Sequence, residues 1–240
     1  MDETELLRRN IEIVEERLVR ACENAGRRRE ELTLVAASKM NDADRIRAAH
    51  AAGIEVFGEN KVQEFTAKNA LDAYRGAKVH IIGHLQKNKV KYVAGQVNLI
   101  ESVDSLELLE ALEARCTAQG LTQDVLVEVN LAEEESKTGL LPGELDALLS
   151  RAASLSCVRV QGLMAIAPKL ETSGERRAYF HQMYELFVDI RAKKYDNVSM
   201  AELSMGMSGD FEEAIAEGAT MVRLGTAIFG ARNYGSVGCN

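Results

Sequence analysis

Proline is scarce in this chain, 2 among 240 residues, and no Pro/Gly-rich stretch divides it, so the sequence offers no linker or hinge. A single domain over residues 1–240 is expected, because the length lies close to the roughly 250 residues of one α/β barrel. The four cysteines, Cys22, Cys116, Cys157 and Cys239, are scattered. With no Cys-x-x-Cys pair and no histidine at ligand spacing, they indicate neither a metal site nor a disulfide framework. No Gly-x-Gly-x-x-Gly follows a candidate strand, which removes the dinucleotide-binding fingerprint. Basic residues are the minority, 29 against 37 acidic ones, and the net charge of -8 argues against nucleic acid or an anionic membrane as partner. No apolar run approaches the ~18 residues of a membrane span. The opening Met-Asp-Glu-Thr-Glu is acidic, unlike a secretory signal, so a cytoplasmic protein is expected. The sequon Asn197-Val198-Ser199 carries no weight without such a signal.

What is present is a rhythm. Hydrophobic residues make up 46% and charged residues 28%, an ordinary balance for a protein with a sizeable core. Leu6, Leu7, Ile11, Val14, Leu18 and Ala21 recur at helical spacing within Thr4 to Ala25, which predicts an amphipathic leading helix. Short apolar runs then alternate with helical patterns. The runs are Leu32 to Ala37, Ile54 to Phe57, Lys78 to Ile82, Val97 to Ile100, Asp124 to Val129, Val158 to Met164, Ala201 to Met205 and Met221 to Leu224. Eight such units imply a parallel sheet covered on its outer face and closed on itself, a (β/α)8 TIM barrel with an extra N-terminal helix.

In a barrel the chemistry gathers where the strands end. Lys39 follows Leu-Thr-Leu-Val-Ala-Ala-Ser, a position that partly desolvates an amine and favours the neutral, nucleophilic form. A solvated strand-end lysine fits the same position. Lys137 follows the fifth run but sits beside three carboxylates that would hold it charged, and Lys61, Lys87 and Lys89 fall inside predicted helices. After the seventh and eighth runs, Ser204, Ser208, Gly225 and Thr226 stand where barrels often hold phosphate, with a short helix opening at Thr226; a plain turn is the alternative. Arg223 lies inside the last apolar run and cannot shed its charge, so it needs a partner in the barrel, either a structural ion pair or a ligand atom. His84, at a strand end, is a candidate contact, whereas His50, His80 and His181 carry no signal. Met205 and Met207 read as core filling or as packing for a planar ring.

These segments together resemble the pyridoxal phosphate homeostasis protein family, the YggS/PROSC group, whose barrel is like the N-terminal domain of alanine racemase. The resemblance rests on Leu34-Val-Ala-Ala-Ser-Lys39, Phe57-Gly-Glu-Asn-Lys-Val-Gln-Glu64, His80-Ile-Ile-Gly-His-Leu-Gln-Lys-Asn-Lys89, Glu128-Val-Asn130, Ser136-Lys-Thr-Gly139, Gly162-Leu-Met-Ala165, Leu203-Ser-Met-Gly-Met-Ser208 and Met221-Val-Arg-Leu-Gly-Thr-Ala-Ile-Phe-Gly230. It implies that Lys39 holds pyridoxal 5'-phosphate (PLP) as a Schiff base, that Arg223 faces the pyridine nitrogen, and that Ser204, Gly225 and Thr226 hold the phosphate. Asn60 and His84 fall in motifs near the cofactor. The chain departs from the family in having Met40-Asn-Asp where a proline usually follows the lysine, and Val79-His-Ile where an aromatic stretch is usual.

An arginine at the pyridine nitrogen leaves the ring neutral and the electron sink weak, in contrast to the acidic residue common in PLP enzymes. The chain also ends soon after the eighth unit, without the further domain of a racemase. The expected function is therefore PLP carriage and vitamin B6 homeostasis, with apo-PLP enzymes as recipients and a monomeric barrel. A PLP-dependent amino-acid racemase and a sugar-phosphate isomerase without PLP are the alternatives.

Overall fold

The computed structural model describes residues 2–134 and 137–230; Ser136 and Cys239 lie outside them. Eight parallel strands close into a barrel in sequence order: β1 (Thr33–Ala37), β2 (Val56–Glu59), β3 (Lys78–Ile81), β4 (Leu99–Val103), β5 (Gln123–Glu128), β6 (Val158–Met164), β7 (Val198–Met207) and β8 (Met221–Leu224). Closure comes from β1 against β8, with Val35 opposite Arg223 and Ala36 opposite Leu224.

The helices are α1 (Glu3–Asn24), α2 (Ala43–Ala51), α3 (Val62–Ala70), α4 (Leu106–Gln119), α5 (Leu145–Ala152), α6 (Ser173–Lys193), α7 (Phe211–Ala216) and α8 (Thr226–Phe229). Their ends follow capping chemistry: Asp2 accepts from Glu5 N, Asp42 from Arg45 N and Ser105 from Leu108 N, while Thr172 and Glu175 cap each other reciprocally. The leading helix buries Leu7, Ile11, Val14, Leu18 and Ala21 of the expected stripe against the barrel, while Leu6, also expected there, is exposed. Its Asn10 donates to Ile228 O, which ties it to α8. No helix among the described residues is long and apolar enough to cross a membrane.

Several elements differ from expectation, among them β2, which is shifted from Ile54–Phe57 to Val56–Glu59 and so takes in Glu59. The helix expected near Lys87 to Ala94 is a 3-10 turn, Lys87–Tyr92. The fourth strand runs past Ile100 to Val103 and so takes in Glu101, and β7 is twice the length its apolar run suggests, with register shifts on both sides. In β4 the charged Glu101 interrupts the apolar pattern, whereas β7 gains Val198, Ser199 and Met200 before the expected run and Gly206 and Met207 after it, none of them charged.

Strand alternation divides the core in two. One set of side chains meets the helices. The other fills the barrel with Val35, Val56, Ile82, Leu99, Leu126, Met164 and Met221. Two residues farther along the same strands, and therefore on the same inward parity, come Glu101 after Leu99, Glu128 after Leu126 and Arg223 after Met221. An apolar layer thus carries a polar one above it, toward the carboxy-terminal mouth.

Candidate functional site at the carboxy-terminal mouth

Arg223, only 5% exposed, is the centre of the polar layer. Its Nη1 donates to Ser204 Oγ at 2.6 Å and its Nη2 to Ala165 O at 2.9 Å. Ser204 in turn donates to Glu101 Oε2 at 2.6 Å, and the other oxygen of Glu101 meets His80 Nδ1 at 2.7 Å. His80, Glu101, Ser204 and Arg223 therefore form one buried chain across β3, β4, β7 and β8. Burial alone would raise the Glu101 carboxyl, but the hydrogen bond and charge of His80, with Arg223 and Ser204, outweigh it and hold the group below its ordinary range. Burial pulls the Arg223 guanidinium below its ordinary value, against Glu101 and Glu128, yet an arginine stays charged under such a shift.

Above this chain stand the strand ends. Lys39 is half-buried, two residues beyond β1 and on the parity of Val35 and Ala37. Its loop closes through Asn41, which donates from its backbone and side-chain nitrogens to Ser38 O and from Nδ2 to Lys39 O, and Asp42 then caps α2. Asn60 follows β2, and its buried Oδ1 has no hydrogen-bond partner among the described residues. Gly83 makes room for it, because a Cβ there would lie 2.5 Å from Asn60 O. His84 is exposed and pairs with Asp104 at 2.7 Å. Lys137 donates to Ala167 O and lies 3.4 Å from Glu134, which confirms one carboxylate neighbour. Met205 is buried and Met207 exposed.

The phosphate candidates separate into two groups. Gly225 and Thr226 lie together at the start of α8, where Ser208 Oγ accepts from Gly225 N at 3.2 Å and from Ala227 N at 3.3 Å. Ser204 is not with them; its hydroxyl is committed to Glu101 and Arg223. The serine hydroxyl at the start of α8 is that of Ser208. Glu101 is not among the expected site residues, although a carboxylate inside the run Leu99-Ile-Glu-Ser-Val103 is the same kind of signal as Arg223, and its partner His80, set aside as carrying no signal, belongs to the same buried chain.

The donor set suits a phosphorylated, hydroxylated aromatic aldehyde: an amine at a strand end, a buried cation in the barrel, backbone N–H groups converging on one oxygen, and a buried acceptor without a donor. The sequence profile of the alanine racemase N-terminal domain matches residues 8–233. The pyridoxal phosphate homeostasis protein of Aquifex aeolicus is 44% identical over 219 residues, 91% of this chain and 95% of that protein. Its counterpart in Pseudomonas aeruginosa is 40% identical over 227 residues, 95% and 96% of the two chains. The solved structure of PipY from Synechococcus elongatus with PLP bound superposes with a TM-score of 0.78 at 37% identity, covering 83% of this chain and 93% of that one. Identity at this level over nearly the full length places the chain in the pyridoxal phosphate homeostasis protein family, built on the alanine racemase N-terminal barrel.

Proposed function

We propose that this chain, as a single barrel domain over residues 1–240, holds PLP on Lys39 and serves cytoplasmic PLP homeostasis and carriage, with apo-PLP enzymes as recipients. Its relatives' names and the PLP in PipY support the cofactor, and the observation that carries the reading is the buried cation Arg223 below the lysine at the same mouth. Lys39 would condense with the aldehyde, forming a carbon–nitrogen double bond and releasing the aldehyde oxygen as water. When bound, PLP supplies an electron-withdrawing ring. Arg223 donates toward the ring nitrogen and, being cationic, opposes its protonation. Ser208, Gly225 and Thr226 receive the phosphate, and Asn60 accepts from a ring substituent. His84, with Asp104, borders the entrance. Ser204 serves by fixing Arg223.

Borohydride reduction of the PLP-loaded protein, followed by peptide mapping, tests the attachment. We expect the adduct on Lys39 and its loss in Lys39→Ala; an adduct confined to Lys137 would overturn the assignment. Chirality and α-deuterium incorporation for a panel of amino acids in heavy water test the carrier role. Little Lys39-dependent turnover is expected, and rates around 1 per second would favour a racemase instead.

A further inference from the structure

The motif Phe57-Gly-Glu-Asn-Lys-Val-Gln-Glu64 contains two carboxylates that no ligand role explains. Both belong to a buried charge cluster behind Lys39, between the first two strands and α3. Lys68 is 7% exposed, and its ammonium donates to Ser38 O at 2.9 Å and Glu59 Oε1 at 2.8 Å, with Glu64 Oε2 at 3.4 Å. Ser38 Oγ and Tyr74 Oη donate to the same Glu59 oxygen. Glu64 Oε2 also accepts the Met40 backbone N–H at 2.7 Å. Met40 has φ of +62°, a left-handed conformation that a non-glycine residue adopts at a cost.

These contacts bracket Lys39. The carbonyl before it is held by Lys68, the amide after it by Glu64, and the two holders are an ion pair one helical turn apart on α3. Burying a lysine among carboxylates requires every donor to be used, and here one donor is spent on the peptide adjoining Lys39. We propose that Lys68 and Glu64, braced by Glu59, are positioning residues for Lys39: they fix the strained Ser38–Met40 turn so that the amine is presented to the aldehyde without touching the cofactor. The inference rests on the reading of Lys39 as the attachment point.

The test uses the full chain with Lys68→Met, Glu64→Ala and the conservative Lys68→Arg. Three quantities are measured: the rate of covalent attachment of PLP, by absorbance and borohydride trapping; the affinity for pyridoxine 5'-phosphate, which has an alcohol in place of the aldehyde; and hydrogen exchange of the Met40 amide without ligand. Attachment should slow about tenfold or more in Lys68→Met and Glu64→Ala, because small misplacements of a reacting group cost that much, while affinity for the alcohol stays within about twofold. Met40 exchange should accelerate in Glu64→Ala, and Lys68→Arg should recover part of the rate. Unchanged attachment in a folded variant, or equal losses for both ligands, would overturn the proposal. If Lys68→Met does not fold, Glu64→Ala, at a half-buried position, decides the matter alone. Failure of the parent chain itself to attach PLP would instead reject the Lys39 reading, and this inference with it.

Discussion

A guanidinium inside an apolar strand obliges the surrounding residues to answer it, and the answer here is indirect. Arg223 Nη1 lies 3.9 Å from Glu101 Oε2, too far for a hydrogen bond, and Ser204 bridges the gap by accepting from one and donating to the other. The need for a partner was legible in the sequence; its identity was not, because partner and bridge come from strands more than a hundred residues apart. This division of labour separates two serines. Ser208→Ala should weaken PLP binding about tenfold and leave pyridoxal binding nearly unchanged, since a hydrogen bond to a charged group contributes roughly 1.5 kcal/mol or more. Ser204→Ala should weaken both ligands alike. Titration of both variants with both ligands checks this, and a phosphate-selective loss in Ser204→Ala would contradict the assignment.

At the scale of elements, the strands were legible where apolar residues ran unbroken and obscured where function placed a charge. The apolar run of β4 ends at Ile100 because Glu101 interrupts it, yet the strand continues to Val103, where β5 still pairs with it through Val127 after β3 has stopped at Ile81. The segment after β3 looked helical from its lysines and valine, but only Val90 of Lys87–Tyr92 is buried, and a 3-10 turn suffices to cover the barrel there. Gly162 shows what no periodicity reveals. It lies in β6 where the pairing with β7 shifts, and a Cβ on it would stand 1.7 Å from Glu202 O, inside backbone that cannot give way. Gly162→Ala should therefore destabilise the fold by ~3 kcal/mol or more, while the folded fraction still binds PLP. Urea unfolding measures it, and a loss below about 0.5 kcal/mol, the level of an ordinary surface substitution, would show that the strands slide apart freely.

Across the whole molecule, buried carboxylates set the response to acid, and they act in opposite directions. Glu59, Glu128 and Asp210 are raised above their ordinary values chiefly by burial, so the stability they contribute is present at low pH and falls away as pH rises through their folded values. Glu101 is the reverse case: its folded value lies below the ordinary 4.5, so its contribution is present above that value and is lost as pH falls toward the folded one. Replacing Glu101 by Gln removes the charge facing Arg223, and breaking a buried pair from one side costs about 3 kcal/mol or more at neutral pH. The same change cannot cost as much in acid, because below the ordinary carboxylate value the unfolded parent chain takes up the proton at Glu101 and the contribution of the lowered carboxyl falls away. The expected result is a Glu101→Gln deficit that is largest near neutrality and shrinks below the ordinary carboxylate range. Glu128→Gln should show little deficit at neutral pH, because it removes a carboxylate that burial already disfavours, although Thr138 donates to it. Urea midpoints for the parent and both variants, from about pH 7 to about pH 3, give the two profiles. A Glu101→Gln deficit that held constant across that window would mean that its charge contributes nothing, and that hydrogen bonding alone keeps Arg223 in the barrel.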